Sequence, residues 1–197
     1  MSRHIGYLFI APAFVILFFT SIYPVAFSFY FSFFDWNWGN QENFIGLDNY
    51  LFLLTDPEFW TVIYNTFVFA SVSCFLEVTI GIILAIFVDR IVFCSTIIRT
   101  ILILPLMVSG IIVSMISKIM FNNLFGVIPY GLKQIDIRSS FFGSTEAAMP
   151  TLIGVDVWWQ TSFVFIIILA ALQGIPNDTV EAAKIDGASE WDITRFI

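Results

Sequence analysis

Four long runs of apolar residues separated by polar segments dominate the pattern of this chain. Ile5 to Phe34 contains no charged residue. A second run extends from Val62 to Val88, bounded by Glu58 and Asp89 and interrupted by Glu77. A third extends from Thr100 to Phe121 with Pro105 near its start, and a fourth from Met149 to Gly174 with Asp156 in its first half. A hydrocarbon core about 30 Å thick takes roughly 20 apolar residues in a helix, so each run is long enough for one crossing. Ordinary strands are shorter, and surface helices are apolar on one stripe only. The pattern predicts spans at residues 7–31, 62–88, 100–121 and 149–174 of a single domain covering 1–197. Pro12 and Pro24 in the first span are tolerated where neighbours satisfy the freed backbone groups. That run exceeds the apolar core of a signal peptide, about 7–15 residues, and no A-x-A site follows it, so it reads as an anchor.

Composition supports the same class. Hydrophobic residues make up 59% of the chain, Phe alone 24 of 197, and charged residues only 12%; the mean hydropathy is +0.92. Soluble domains carry about 25% charged residues, so a surface facing water all round cannot be built from this supply. A net charge of −7 excludes a nucleic-acid partner, which needs a basic face. Cys74 and Cys94 form no disulfide framework or metal-ligand spacing, and His4, the one histidine, sits in the N-terminal tail. No metal or cofactor is expected.

Lys and Arg set the orientation. With the N-terminus in the cytoplasm, Arg3, Arg90, Arg99, Lys184 and Arg195 fall inside, against Lys118, Lys133 and Arg138 outside. The first outer loop, residues 35–60, has acids but no base. It also holds Trp36, Trp38, Phe44, Tyr50, Phe52 and Trp60. An interfacial aromatic belt is the simpler reading of these rings; a docking surface for an extracytoplasmic partner is the other. Acids at membrane depth are costly and mark a pathway or a partnered structural group. Glu77 fits either role, and Asp156 fits an outer interface or a cavity wall. Gln160, with Trp158 and Trp159, suits contact with a sugar or interfacial packing.

The chain changes character at Ile175-Pro176-Asn177-Asp178, where Pro176 breaks the apolar helix. Asn177 or Asp178 can cap a short helix running through Glu181-Ala182-Ala183, and Gly187 suits the left-handed position that ends it. Ser189 followed by Asp192 predicts the cap of a second short helix. An amphipathic helix–turn–helix at the membrane surface results, with Val180, Ala183 and Trp191 as apolar contacts.

Glu-Ala-Ala, three residues, Gly, nine residues, Ile is a specific pattern, met here by Glu181, Ala182, Ala183, Gly187 and Ile197. It resembles the EAA loop of the permease subunits of binding-protein-dependent, ATP-driven importers. The rest of the chain is similar to their sugar-type branch, maltose- and glycerol-phosphate-like. The matching blocks are Tyr7 to Pro24, Asp35-Trp36, Gly46-Leu47-Asp48-Asn49-Tyr50, Asn65-Thr66, Arg99-Thr100 with Leu104-Pro105, and Leu172-Gln173-Gly174-Ile175-Pro176 before Ile185-Asp186-Gly187-Ala188.

The resemblance implies an all-α, polytopic transmembrane bundle in the bacterial inner membrane, with about four spans of a larger set. It implies a coupling helix in loop 177–197 that fits a cleft of a separate ATPase dimer. Glu181, Ala182, Ala183, Asp186, Gly187 and Ile197 are its coupling residues. Glu77, Asp156 and Gln160 are candidate pathway or bundle-polar residues. The implied partners are the ATPase, a second permease subunit (non-identical in much of this branch), an extracytoplasmic solute-binding protein and lipid. Such permeases have further spans after the EAA loop, so the chain reads as C-terminally truncated. The rival is a truncated remnant that binds partners without moving solute. No G-x-x-x-x-G-K-[ST], H-E-x-x-H or G-x-S-x-G occurs, so the chain reads as no enzyme, with ATP hydrolysed by another chain.

Overall fold

The computed structural model describes residues 3–36, 43–91, 95–136, 140–189 and 192–193. Ile197, Trp38, Cys94, Arg138, Trp191 and Arg195, named above, lie outside them. Contacts divide the chain into two units, residues 1–65 and 66–197.

In the first unit α1 (Arg3–Leu17) runs through a π-helical turn (Phe18–Ile22) into α2 (Tyr23–Phe31). Pro24 accounts for the wide turn: it has no N–H to offer the carbonyl four residues back. The Tyr23 N–H instead bonds Phe18 O, five residues back. Thr20 Oγ1 donates to Ile16 O at 2.8 Å. Phe9–Phe31 together form one apolar stretch of 23 residues.

The loop beyond α2 is closed by its own side chains. A short antiparallel pair, β1 (Phe34–Asp35) and β2 (Asn43–Phe44), leads to α3 (Asp48–Thr55) through Gly46, whose φ of +61° is open to glycine at no steric cost. Asn49 Nδ2 donates to Ser32 O (2.9 Å) and Phe34 O (3.1 Å), while the Tyr50 and Ser32 hydroxyls meet at 2.6 Å. Phe27, Phe31 and Trp36 stack in sequence, with centroids 4.4 and 4.7 Å apart. The block 46–50 therefore ties the loop back to the end of α2.

The second unit takes up most of α4 (Pro57–Arg90), followed by α5 (Ser95–Ile103), a 3₁₀ turn (Leu104–Met107), α6 (Gly110–Met120), α7 (Val127–Lys133), α8 (Thr145–Gln173) and α9 (Asn177–Ile185). Ser144 caps α8, its Oγ accepting from Ala147 N–H at 3.3 Å, so the helix starts ahead of the run that predicted it. Ala85 and Val88 of α4 meet Phe165 and Leu169 of α8 in a buried core, with Ile98, Leu102 and Ile103 of α5 packed against it. Gly81 lets α4 and α8 touch: a Cβ there would lie 2.6 Å from Val164 Cγ1.

Among the described residues three helices are long and apolar enough to cross a membrane: Phe9–Phe31, Pro57–Arg90 and Thr145–Gln173. The third predicted span, 100–121, is instead a broken pair: Ser95–Met107 and Gly110–Met120 meet at 92°, which makes up to four if the pair counts as one span. Pro105 limits the helix, and Val108 and Ser109 are extended, with ψ of 130° and 139°. Irregular backbone at membrane depth needs partners from protein. Trp159 Nε1 supplies one by donating to Val108 O at 3.0 Å, and its ring lies against Gly110.

This makes Trp159 a pin for the break. Trp159→Phe keeps most of the ring but strands the Val108 carbonyl. Loss of that bond is expected to cost about 1–3 kcal/mol, read as a lower Tm of the detergent-solubilised protein, with Trp158→Phe as the control. Trp158 is 57% exposed, so its replacement should leave Tm unchanged.

Candidate functional site

Two features stand out in the second unit: a polar cluster between two apolar helices, and the exposed helix α9 beyond α8. In the cluster, Glu77 lies on α4 and Asp156 and Gln160 on one face of α8, four residues apart. The structure brings the Glu77 and Asp156 carboxyls together. Glu77 Oε1, Ser73 Oγ and Thr161 Oγ1 are buried without hydrogen-bond partners among the described residues. Ser73 and Thr161 are buried polar residues in their own right, at 3% and 8% exposure.

Sequence reasoning singled out the three larger polar groups but passed over Ser73, whose position one turn before Glu77 was the available signal. Trp159 was read as a sugar contact or interfacial packing; the structure commits its indole to the bend. None of the cluster residues lines either of two cavities in this unit. One, of about 820 Å³, carries Ser114, Ser117, Lys118, Asn122 and Asn123. The other, of about 540 Å³, is lined chiefly by apolar residues such as Val113, Phe121, Phe141 and Trp158.

Further along the chain α8 stops at Gln173 and α9 begins at Asn177. The segment between is hydrogen-bonded to the helix before it: Gly174 N–H donates to Ala170 O at 3.1 Å and Ile175 N–H to Leu172 O at 3.2 Å. The N-cap of α9 is Pro176, not Asn177 or Asp178 as expected; both fall inside the first turn. There the Asp178 carboxylate faces the positive end of the helix dipole.

The far end closes in a Schellman turn. Ala188 N–H donates to Ala183 O at 3.0 Å, Gly187 N–H to Lys184 O at 3.1 Å, and Gly187 takes φ +83°. Ser189 and Asp192 then form a reciprocal cap. Ser189 N–H donates to Asp192 Oδ2 at 3.0 Å, Asp192 N–H donates to Ser189 Oγ at 3.2 Å, and the Ser189 hydroxyl donates to the same carboxylate. Those hydrogen bonds, the hydroxyl first, hold the Asp192 carboxyl below its ordinary value. The cap is therefore complete above that ordinary value and is lost as pH falls through the lowered one.

Glu181, Ala182 and Asp186 are exposed and Ala183 is half-buried. Ile185 is 86% exposed, an apolar side chain on a short helix turned to its surroundings.

The family of binding-protein-dependent transport system inner membrane components matches residues 77–197, which contain α9 and most of the second unit. The chain belongs to that family. Among its permease relatives, a probable starch degradation products transport system permease protein of Thermoanaerobacterium thermosulfurigenes is 36% identical over 97% of this chain and 65% of its own length. A trehalose/maltose transport system permease protein of Thermococcus litoralis is 32% identical, covering 98% and 66%. A probable ABC transporter permease protein of Sinorhizobium fredii is 33% identical, covering 96% and 62%. This chain thus spans less than two thirds of the length of the first and third of these relatives, 65% and 62%.

The fold agrees. A chain of a bacterial ABC transporter involved in the import of the acidic polysaccharide alginate superimposes with a TM-score of 0.81 at 24% identity, over 98% of this permease and 66% of that chain. Permease subunits of ABC importers are not catalytic; ATP is hydrolysed on a separate ATPase subunit. They partner in general with that ATPase and with solute-binding proteins.

Proposed function

We propose that this permease forms part of the translocation path of an ATP-driven importer for a sugar or related solute, and that α9 is its coupling helix. The observation that carries the reading is the construction at the end of the second unit. A short, exposed helix follows an apolar span at once, is closed at a fixed angle by Gly187 and is capped again at Ser189. A rigid protrusion of this kind can pass domain closure in an ATPase to a spanning helix as rigid-body motion. Glu181 supplies charge for a basic partner residue, Asp186 and Gly187 shape the turn, and Ala182 and Ala183 permit close approach. The matching position at Ile197 completes the motif in the sequence.

Glu77, Asp156 and Gln160 are the polar groups assigned to the path, because their cluster leaves buried oxygens without partners inside an otherwise apolar pair of helices. The sugar assignment rests on what the relatives' names state: starch degradation products and trehalose or maltose. Orientation follows the distribution of Lys and Arg, with the N-terminus and α9 in the cytoplasm of a bacterium and the membrane crossed several times. A second permease subunit, non-identical, and an extracytoplasmic binding protein complete the complex.

Co-purification tests the coupling role. With the full-length permease tagged and its ATPase co-expressed, Glu181→Arg is expected to lower the ATPase recovered per permease about tenfold. Recovery at the unaltered level would remove α9 from the interface and leave the chain as a membrane component coupled elsewhere.

A further inference from the structure

Arg99 and Gln173 make a contact that no feature of the coupling helix itself requires. Arg99 lies on α5 and Gln173 is the last residue of α8, just before the short segment that leads into α9. With the Gln173 amide oriented by its surroundings, its Oε1 accepts from Arg99 Nη1 at 3.0 Å and from Nη2 at 2.8 Å. The guanidinium is a planar fork, so two bonds to one oxygen fix its direction as well as its distance. It also brings positive charge to the C-terminal end of α8, where the helix dipole favours a cation.

The same two helices are tied again further along. Trp159 of α8 donates to Val108 O at the bend that follows α5. Trp159 and Gln173 are 14 residues apart, about 21 Å of helix at 1.5 Å per residue. Between the ties, Leu102 and Ile103 pack against the core around Phe165 and Leu169. With α8 tied to α5 at one point, to the bend after α5 at another, and packed in between, the two cannot slide past each other without breaking a polar contact.

We infer that Arg99 is a positioning residue: through Gln173 it locks α5 to the end of α8, so that α5, α8 and the attached α9 move as one lever. The inference rests on the coupling role proposed for α9. Its failure and the failure of that role give different results.

The test uses the full-length permease assembled with its ATPase. Spin labels at Thr96 of α5 and Thr179 of α9, both exposed, report the distance between the two helices with and without ATP and vanadate. The unaltered lever gives one narrow distribution in each condition. Gln173 is itself exposed, so Gln173→Leu removes the acceptor and spares the core. It is expected to widen the distribution about twofold, as a second population of α9 appears. Gln173→Glu keeps an acceptor for the fork and should restore the narrow distribution, which a role in packing alone would not. A narrow distribution in Gln173→Leu overturns the inference, and so does a broad one in both variants. ATPase recovery should be unchanged in Gln173→Leu, whereas failure of the coupling role itself appears as unchanged recovery in Glu181→Arg.

Discussion

Gly187→Val is expected to separate this permease from its ATPase while leaving the membrane-embedded part folded. At φ +83° an L-residue with a Cβ is strained, and a β-branched one most of all. The cost is about 1–2 kcal/mol or more at a site that is otherwise free: a Cβ at Gly187 meets nothing within 4 Å. No clash therefore contributes, and the whole effect falls on the backbone. The least costly relaxation opens the Schellman turn, which frees the Ala183 and Lys184 carbonyls and lets the cap at Ser189 swing away from α9. ATPase recovery with the full-length permease should fall about tenfold, while the Tm of the permease in detergent moves little. Gly187→Asn is the informative companion. Asparagine tolerates the left-handed region, so it should keep most of the recovery. Equal loss in both variants would point to the missing side chain of glycine, that is, to close approach by a partner, and not to backbone conformation.

The largest expected effect on stability is at Gly81. A methyl group there would lie 2.6 Å from Val164 Cγ1, 2.9 Å from Val164 Cβ and 3.3 Å from the Phe165 backbone nitrogen. The valine has one strongly preferred rotamer in a helix and cannot turn away. The helices must then part, and the core of Ala85, Val88, Phe165 and Leu169 opens with them. Gly81→Ala is expected to destabilise by about 1–3 kcal/mol, seen as a lower Tm or lower yield of monodisperse protein in detergent. Val164→Ala in the same chain removes Cγ1, the nearest atom, and should recover part of the loss. A double variant no better than Gly81→Ala would mean that the Phe165 backbone, not the valine, sets the spacing.

Most of this architecture was legible in the residues. Long uncharged runs have few alternatives to membrane helices, and the first, second and fourth runs lie in apolar helices. The ends were less legible: α4 begins at Pro57 and α8 at Thr145, because helices extend past the hydrocarbon into residues whose polarity says nothing about helix content. The third run misled because hydropathy counts residues and ignores direction; Pro105 was the visible sign, but the 92° bend depends on a tryptophan 54 positions away. Gly187 could be read directly, since a glycine just past a short helix suits the left-handed position that ends it. Gly81 could not, because an isolated glycine in an apolar helix does not say what it faces. The polar ties, Arg99 to Gln173 and Trp159 to Val108, join residues more than 50 positions apart and were out of reach of any local pattern.

The π-helical turn at Phe18–Ile22 has a consequence for experiments along the first span. One extra residue in a turn moves everything after it about 100° around the axis, since a regular helix has 3.6 residues per turn. Residues before Phe18 and after Ile22 thus follow the same spacing with shifted phase. A scan of single cysteines probed from the lipid or from water would give two periodic patterns that do not join, with the discontinuity at the turn. Fitted as one helix, such data would show a weakened face turned away from that of either segment.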